Sequence, residues 1–394
     1  MKKLNGARQS YDWGSTSSMF DFLGTEPDGQ PFAELWFGAH PLAPATVDER
    51  AATKKLNEVI DLNRTAHLGE RVDTRFGRLP YLVKLLAPAR PLSIQVHPNP
   101  LLASEGFRRE TELGIPLADF QRSFKDEYHK PEMVYAITRF EGLAGFRPVE
   151  EMALLLNAIG EPLAAACSAI AAAATPAASA RAALEHILAL DPESIEQTTE
   201  KCRILADSSD QPVLRDACAT VLELSHIYPG DVGIVVSVLL NRFRLERGQL
   251  LFIADGVPHA YLSGFGLEVM ANSDNVLRLG LTRKHIDVPA TLGALDFTAF
   301  GYKIETSPEA VTHTFRPDAE EFALSIIRPG LSPEPRTEFS GGGPRILVCL
   351  EGSVSISQKS DVVELTQGES SYGTATDGPV FVSGEGVLAA IFVP

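Results

Sequence analysis

Residues 93–99 read SIQVHPN and close an apolar run, LPYLVKLLAPARPLSIQV (79–96), with the composition of a buried strand. Within it Gln95 and His97 stand two residues apart. Side chains on a strand alternate between faces, so these two point the same way. Pro98 then ends the strand beside them. An amide and an imidazole on one face of a core strand either close hydrogen bonds at a strand end or look into a site. The second option makes this a β scaffold around a polar centre, and the rest of the chain must then supply the other wall.

Three further stretches set polar residues into apolar context. EYHKPEMVYAI (127–137) brings His129, Lys130 and Glu132 to the start of a strand. Lys130 and Glu132 share a face if that strand is regular, and His129 faces away. DGVPHAYL (255–262) puts His259 at a turn-to-strand junction after Gly256 and Pro258. SDNVLRLGLTRKHID (273–287) gathers Asp274, Arg278, Lys284 and His285. His97, His259 and Glu132 are a usual donor set for catalytic zinc or a non-haem metal, and Gln95 adds a neutral oxygen. A single carboxylate leaves a divalent ion net positive, so it stays a Lewis acid toward a hydroxyl or carbonyl oxygen.

Blander readings stand beside these. A lone histidine in a β-rich chain is more often a hydrogen-bonded structural group. Arg278 has Asp274 four residues away, yet Val276, Leu277, Leu279 and Leu281 around it argue against a solvated pair. Lys84 lies in YLVKLL, where an unpaired ammonium is costly, so an anionic partner is expected. Glu34 and His40 read as structural, and Trp13 and Trp36 as core.

The chain has 394 residues, 44% hydrophobic and 22% charged, which suits a globular protein of two or three domains. Apolar stretches are broken before membrane-span length. MKKLNGARQSYDWG at the start lacks the apolar core of a secretory signal. The four cysteines form no CxxC pair, which predicts reduced thiols in a cytoplasm and no thiolate zinc site. A net charge of −16 without a basic face argues against nucleic acid. An anionic substrate would need a few local cations.

Composition divides the chain. Residues 1–148 alternate short β-like runs with turn signals and read as irregular and mainly β. Residues 149–228 are rich in Ala and Leu, with apolar residues at spacings of three and four and Pro162, Pro176, Pro192 and Pro212 punctuating helices. Residues 229–315 return to β character. Residues 316–394, which contain no histidine, alternate like a sandwich or barrel edge. L-E-R-G (245–248) and L-T-Q-G (365–368) both follow one strand and open another, as in two related units, one with a metal site and one without.

Together SIQVHPN, HKPEM, GVPHAYL and SDNVLRLGLTRKHID resemble the signature segments of the type I mannose-6-phosphate isomerase (phosphomannose isomerase) family, zinc-dependent and cupin-folded. AELWFGAHP (33–41) and LPYLVKLL (79–86) also resemble family segments. The resemblance implies a mainly β fold of cupin-type jelly rolls. A metal-binding catalytic unit (1–148 and 229–315) would carry an inserted helical subdomain (149–228), followed by a C-terminal jelly roll without metal ligands (316–394). It implies one Zn2+ per chain on Gln95, His97, Glu132 and His259. Substrate phosphate would meet Ser93, Lys84 and Lys284, with Arg278 in the active site. The implied reaction interconverts mannose 6-phosphate and fructose 6-phosphate through an enediol, moving a proton between C2 and C1. The base stays open among Lys130, His129, Asp274 and Glu268; Lys130 leads, since a metal cation would lower its pKa, and Glu268 also stands with the substrate contacts. Expected partners are a small phosphosugar, with no nucleic acid and no membrane, and a monomer. Leu279 and Tyr128 depart from the family pattern. Two other readings are another metal-dependent cupin enzyme, such as a dioxygenase, and a non-catalytic sugar-phosphate-binding cupin.

Overall fold

Ile94–Val96 is a strand in the computed structural model, which describes residues 1–49, 52–298, 301–359 and 361–394. It belongs to a five-stranded antiparallel sheet ordered Leu240–Leu245, Phe140–Phe146, His259–Ser263, Ile94–Val96, Leu277–Gly280. Ile94 and Val96 are buried among apolar side chains of the helices behind this sheet, such as Leu155, Leu184 and Val235. Gln95, between them, therefore turns to the opposite face.

The helices behind the sheet are Val149–Ile159, Ala164–Ala172, Pro176–Leu188, Pro192–Ser208 and Pro212–Ile227, with the short Gly233–Val236. Three of them begin at a proline, where the missing N–H would have had no partner anyway. Thr175 and Asp191 cap two of these starts by accepting the N–H of Ala178 and Ser194. Among the described residues no helix is long and apolar enough to cross a membrane.

A seven-stranded antiparallel sheet lies against the inner face of the first. Its order is Ile304–Thr306, Gln249–Ile253, Glu132–Ala136, Gly266–Ala271, Tyr81–Leu86, Glu34–Phe37, Ala7–Gln9. Its three central strands are buried along their whole length, which is why YLVKLL and EMVYA read as unbroken core. Period two sorts their residues. Tyr81, Val83, Leu85, Met133, Tyr135, Leu267 and Val269 pack toward a third, eleven-stranded sheet, against Ile346, Val348 and Ile391. Leu86, Val134 and Ala136 pack the other way, against Phe140, Phe243 and Tyr261 of the five-stranded sheet. Each fully buried Leu, Val or Met on the first face is worth about 1.5–3 kcal/mol, so that face binds the layers.

The eleven-stranded sheet is built mostly from the C-terminal part of the chain around the long strand Arg345–Gln358. The two similar tetrapeptides both make turns between strands, with Gly248 at φ 84° and Gly368 at φ 85°. That left-handed conformation suits glycine.

The expectation of a mainly β chain is corrected: helix and strand are about equal, at 31% and 30%. Residues 1–148 alone hold Ser18–Leu23, Leu56–Leu62, Arg64–Leu68, Glu70–Phe76 and Pro100–Glu112. Four of these span two turns or fewer, too short for a 3.6 period to stand out. The fifth starts at Asn99–Pro100, where Asn99 accepts the N–H of Leu102.

Candidate metal centre

The register of the five-stranded sheet assembles one wall. Gln95 stands opposite His259 on one neighbour and opposite Arg278 on the other, so all three side chains leave the sheet on the same face. His97 follows at the strand's end. The seven-stranded sheet supplies the other wall through Glu132, Glu268 and Lys84, which share its polar face.

His97, Glu132 and His259 meet between the walls, each offering one donor atom within 4.8 Å of the others, and all three are buried. His97 Nε2 lies 3.2 Å from Glu132 Oε1, and His259 Nε2 lies 3.3 Å from Glu132 Oε2. The other ring nitrogens settle the tautomers. His97 Nδ1 is 2.6 Å from the Asn275 carbonyl oxygen, and His259 Nδ1 is 2.9 Å from that of Val257. A carbonyl only accepts, so both Nδ1 atoms carry the proton and donate. Both Nε2 lone pairs then face a carboxylate. Burial, then the Lys130 charge, pushes the His97 pKa down to about 4, which keeps the ring neutral. His97 Nε2 accordingly has no hydrogen-bond partner. Two lone pairs and a carboxylate aimed at one buried point repel each other unless a cation stands there, so the donor set fits a divalent metal.

Lys130 lies before the strand that starts at Glu132 and still reaches the same carboxylate, with Nζ 2.9 Å from Glu132 Oε1. Burial works to raise the Glu132 pKa, but Lys130 and the imidazoles hold it well below the usual carboxylate range. Asn275 ties the surrounding loops. Its side-chain oxygen accepts the N–H of Lys125 at 2.7 Å, and its nitrogen donates to the carbonyls of Asp126 and Tyr128, both at 2.8 Å.

Lys84, expected at the phosphate, has the anionic partners that its apolar run called for. It is buried with Nζ 2.8 Å from Glu268 and 3.7 Å from Glu34. Burial would lower its pKa, yet the two carboxylates raise it. Its charge offsets those of the buried Glu34 and Glu268 carboxylates. Trp36 donates its indole N–H to Glu34 at 2.7 Å.

His129, expected among the candidate bases, has both ring nitrogens engaged away from Glu132, by Asp255 and Glu321. Asp274 meets His40, Oδ1 to Nε2 at 3.3 Å, and among the described residues makes no ion pair with Arg278. The Arg278 guanidinium donates to the Val276 carbonyl, while its Nε is buried and unpartnered. Desolvation lowers its pKa. Lys284 is an exposed residue, but partial desolvation of its ammonium, then the Arg278 charge, lowers its pKa too. Lys125 stands close enough to Arg278 and Lys284 to join them in a cationic patch. Ser93, half-buried, precedes the Gln95 strand.

Several neighbours of the site escape sequence reading. Lys125 sits in no motif. Glu34 and His40, read as structural, lie beside Lys84 and Asp274. Tyr261 is buried near Glu132 and Glu268 with an unpartnered hydroxyl, and burial raises its pKa well above the ordinary value. Its signal was period two from His259.

Residues 1–149 match the family described as phosphomannose isomerase type I, catalytic domain. Mannose-6-phosphate isomerase of Escherichia coli (strain K12) is 38% identical over 409 residues, covering 100% of this chain and 99% of that protein. Mannose-6-phosphate isomerase of Rattus norvegicus is 32% identical, covering 98% of this chain and 94% of its own. A crystal structure of mannose 6-phosphate isomerase in its zinc-bound holo form superposes with a TM-score of 0.89 at 33% identity, over 100% of this chain and 99% of that one.

Proposed function

We propose, because the chain belongs to the type I phosphomannose isomerase family, that it interconverts mannose 6-phosphate and fructose 6-phosphate and that zinc occupies the centre. The observation that carries this reading is the convergence of His97, Glu132 and His259 on one buried point, with both Nδ1 protons turned away to carbonyls. Gln95, opposite His259 in register, is the fourth ligand. Zinc bound there supplies a Lewis acid toward the sugar oxygens.

The chain's own residues take the remaining roles. Lys130, with Nζ 2.9 Å from Glu132 Oε1, is the leading carrier of the proton between C2 and C1, its neutral amine taking the proton and the resulting ammonium returning it. Asp274, Glu268 and Tyr261 follow. Arg278 points from the same face as Gln95 and meets negative charge developing on the substrate oxygens. Lys284 and Ser93, joined by Lys125, receive the phosphate at the mouth, where a dianion restores charge balance to the cationic patch. Residues 1–148 and 229–315 form one cupin-type unit, 149–228 its helical insertion, and 316–394 a C-terminal jelly roll. The reading includes a cytoplasmic monomer.

The test strips metal from the protein, restores zinc, and follows conversion of fructose 6-phosphate to mannose 6-phosphate. Turnover that returns with zinc is expected; none under any zinc loading overturns the reading. Oxygen uptake with iron would mark a dioxygenase, and mannose 6-phosphate binding without turnover a sensor.

A further inference from the structure

His129 is held on both sides. Its Nδ1 lies 2.7 Å from Asp255 Oδ2 and its Nε2 lies 2.8 Å from Glu321 Oε1. A neutral imidazole has one N–H and one lone pair, so one of these short contacts would then oppose a lone pair to a carboxylate. Two carboxylates at such distances require both nitrogens to be protonated.

We propose that Glu321 is a positioning residue of the active site: with Asp255 it clamps the His129 ring and so fixes the run His129–Glu132 that delivers Lys130 and Glu132. Three segments meet at this ring. The first is that run, in which Pro131 restricts the backbone and gives its carbonyl to the Ala271 N–H at 3.0 Å. The second is the turn 254–258, where Gly256 donates its N–H to the His97 carbonyl at 2.9 Å and Val257 accepts from His259. The third is the lead-in to the strand Ala323–Ile327 of the eleven-stranded sheet, which carries Glu321. Through one ring the sheet without metal donors grips both loops that aim Glu132 and His259.

The charged groups around the ring agree. Asp255 comes from the turn and Glu321 from the C-terminal segment. Arg78, stacked over the Tyr128 ring at 3.5 Å, lies near Glu321, as does Arg75, which pairs with Glu320. Burial alone would lower the His129 pKa, yet the two carboxylates lift it to about 10. A ring so held is a poor proton acceptor at neutral pH, which removes His129 from the candidate bases.

This inference rests on the isomerase reading, and its test separates the two. In full-length zinc-loaded protein, the His129 ring nitrogens are observed by 15N NMR at pH 8 and assigned by their loss in His129→Asn. Both protonated is expected; one bare nitrogen overturns the clamp whether or not the protein turns over. In Glu321→Gln the ring should titrate between about pH 6 and pH 8, at least about two units lower. Its kcat for fructose 6-phosphate should fall about tenfold at pH 8 and recover toward wild type at pH 6, with KM changed less than twofold. A kcat unchanged at both pH values, or lowered equally at both, would overturn the positioning role. If Glu321→Gln does not fold, Asp255→Asn is read by the same criteria.

Discussion

Toward the eleven-stranded sheet, the seven-stranded sheet turns Tyr81, Val83, Leu85, Met133, Leu267 and Val269; toward the five-stranded sheet, the same strands turn Lys84, Glu132 and Glu268. Both faces are buried. The first returns about 1.5–3 kcal/mol for each large side chain. The second desolvates charges and returns that energy only where each charge finds a partner. Lys84 finds Glu268 and Glu34, and Lys130 finds Glu132. The His97 lone pair finds none, and that residue of unmet demand is what a metal answers. One face thus holds the layers together, and the other spends stability on chemistry.

Substitutions can break this contrast, the largest effect first. His97→Ala should abolish stoichiometric zinc and lower turnover by at least about a thousandfold while the fold persists, because the apolar face is untouched. Metal analysis beside a circular dichroism melt checks it; a variant that keeps zinc and rate would refute the centre. Lys84→Met leaves two buried carboxylates without their cation and should cost about 3–5 kcal/mol in urea unfolding. Adding Glu268→Gln should recover part of that loss, whereas simple additivity would mean the pair is not coupled. Leu85→Ala, on the opposite face of the neighbouring position, should cost about 2–5 kcal/mol and leave kcat within twofold. A large loss of kcat there would mean the two faces are not separable. Gln95→Ala should weaken zinc binding less than His97→Ala does, by about tenfold, since a neutral amide oxygen is the poorer ligand. The reverse order, read by competition with a chelating dye, would mean that the strand offers the ion a different face.

The same contrast explains what could be read in advance. The cluster of His97, Glu132 and His259 was legible because a polar residue in an apolar strand is an anomaly that local context exposes. The helical segment was legible from its spacing and its prolines. Partners were not. Lys84 announced the need for an anion, but Glu34 and Glu268 reach it only through strand pairing. Glu321 meets His129 across a separation of 192 residues, which no local pattern encodes. The short helices of residues 1–148 owe their form to packing more than to their own periodicity.

The alternation on the central strands also bears on how the chain finds its fold. A slip of one residue between Tyr81–Leu86, Glu132–Ala136 and Gly266–Ala271 would drive Lys84, Glu132 and Glu268 into the apolar layer and lift Val83, Met133 and Leu267 into the polar one. Uniformly greasy strands would tolerate such a slip; these cannot. The charged groups of the polar layer therefore also act as a pairing key, one that rejects misaligned sheets before any ligand arrives.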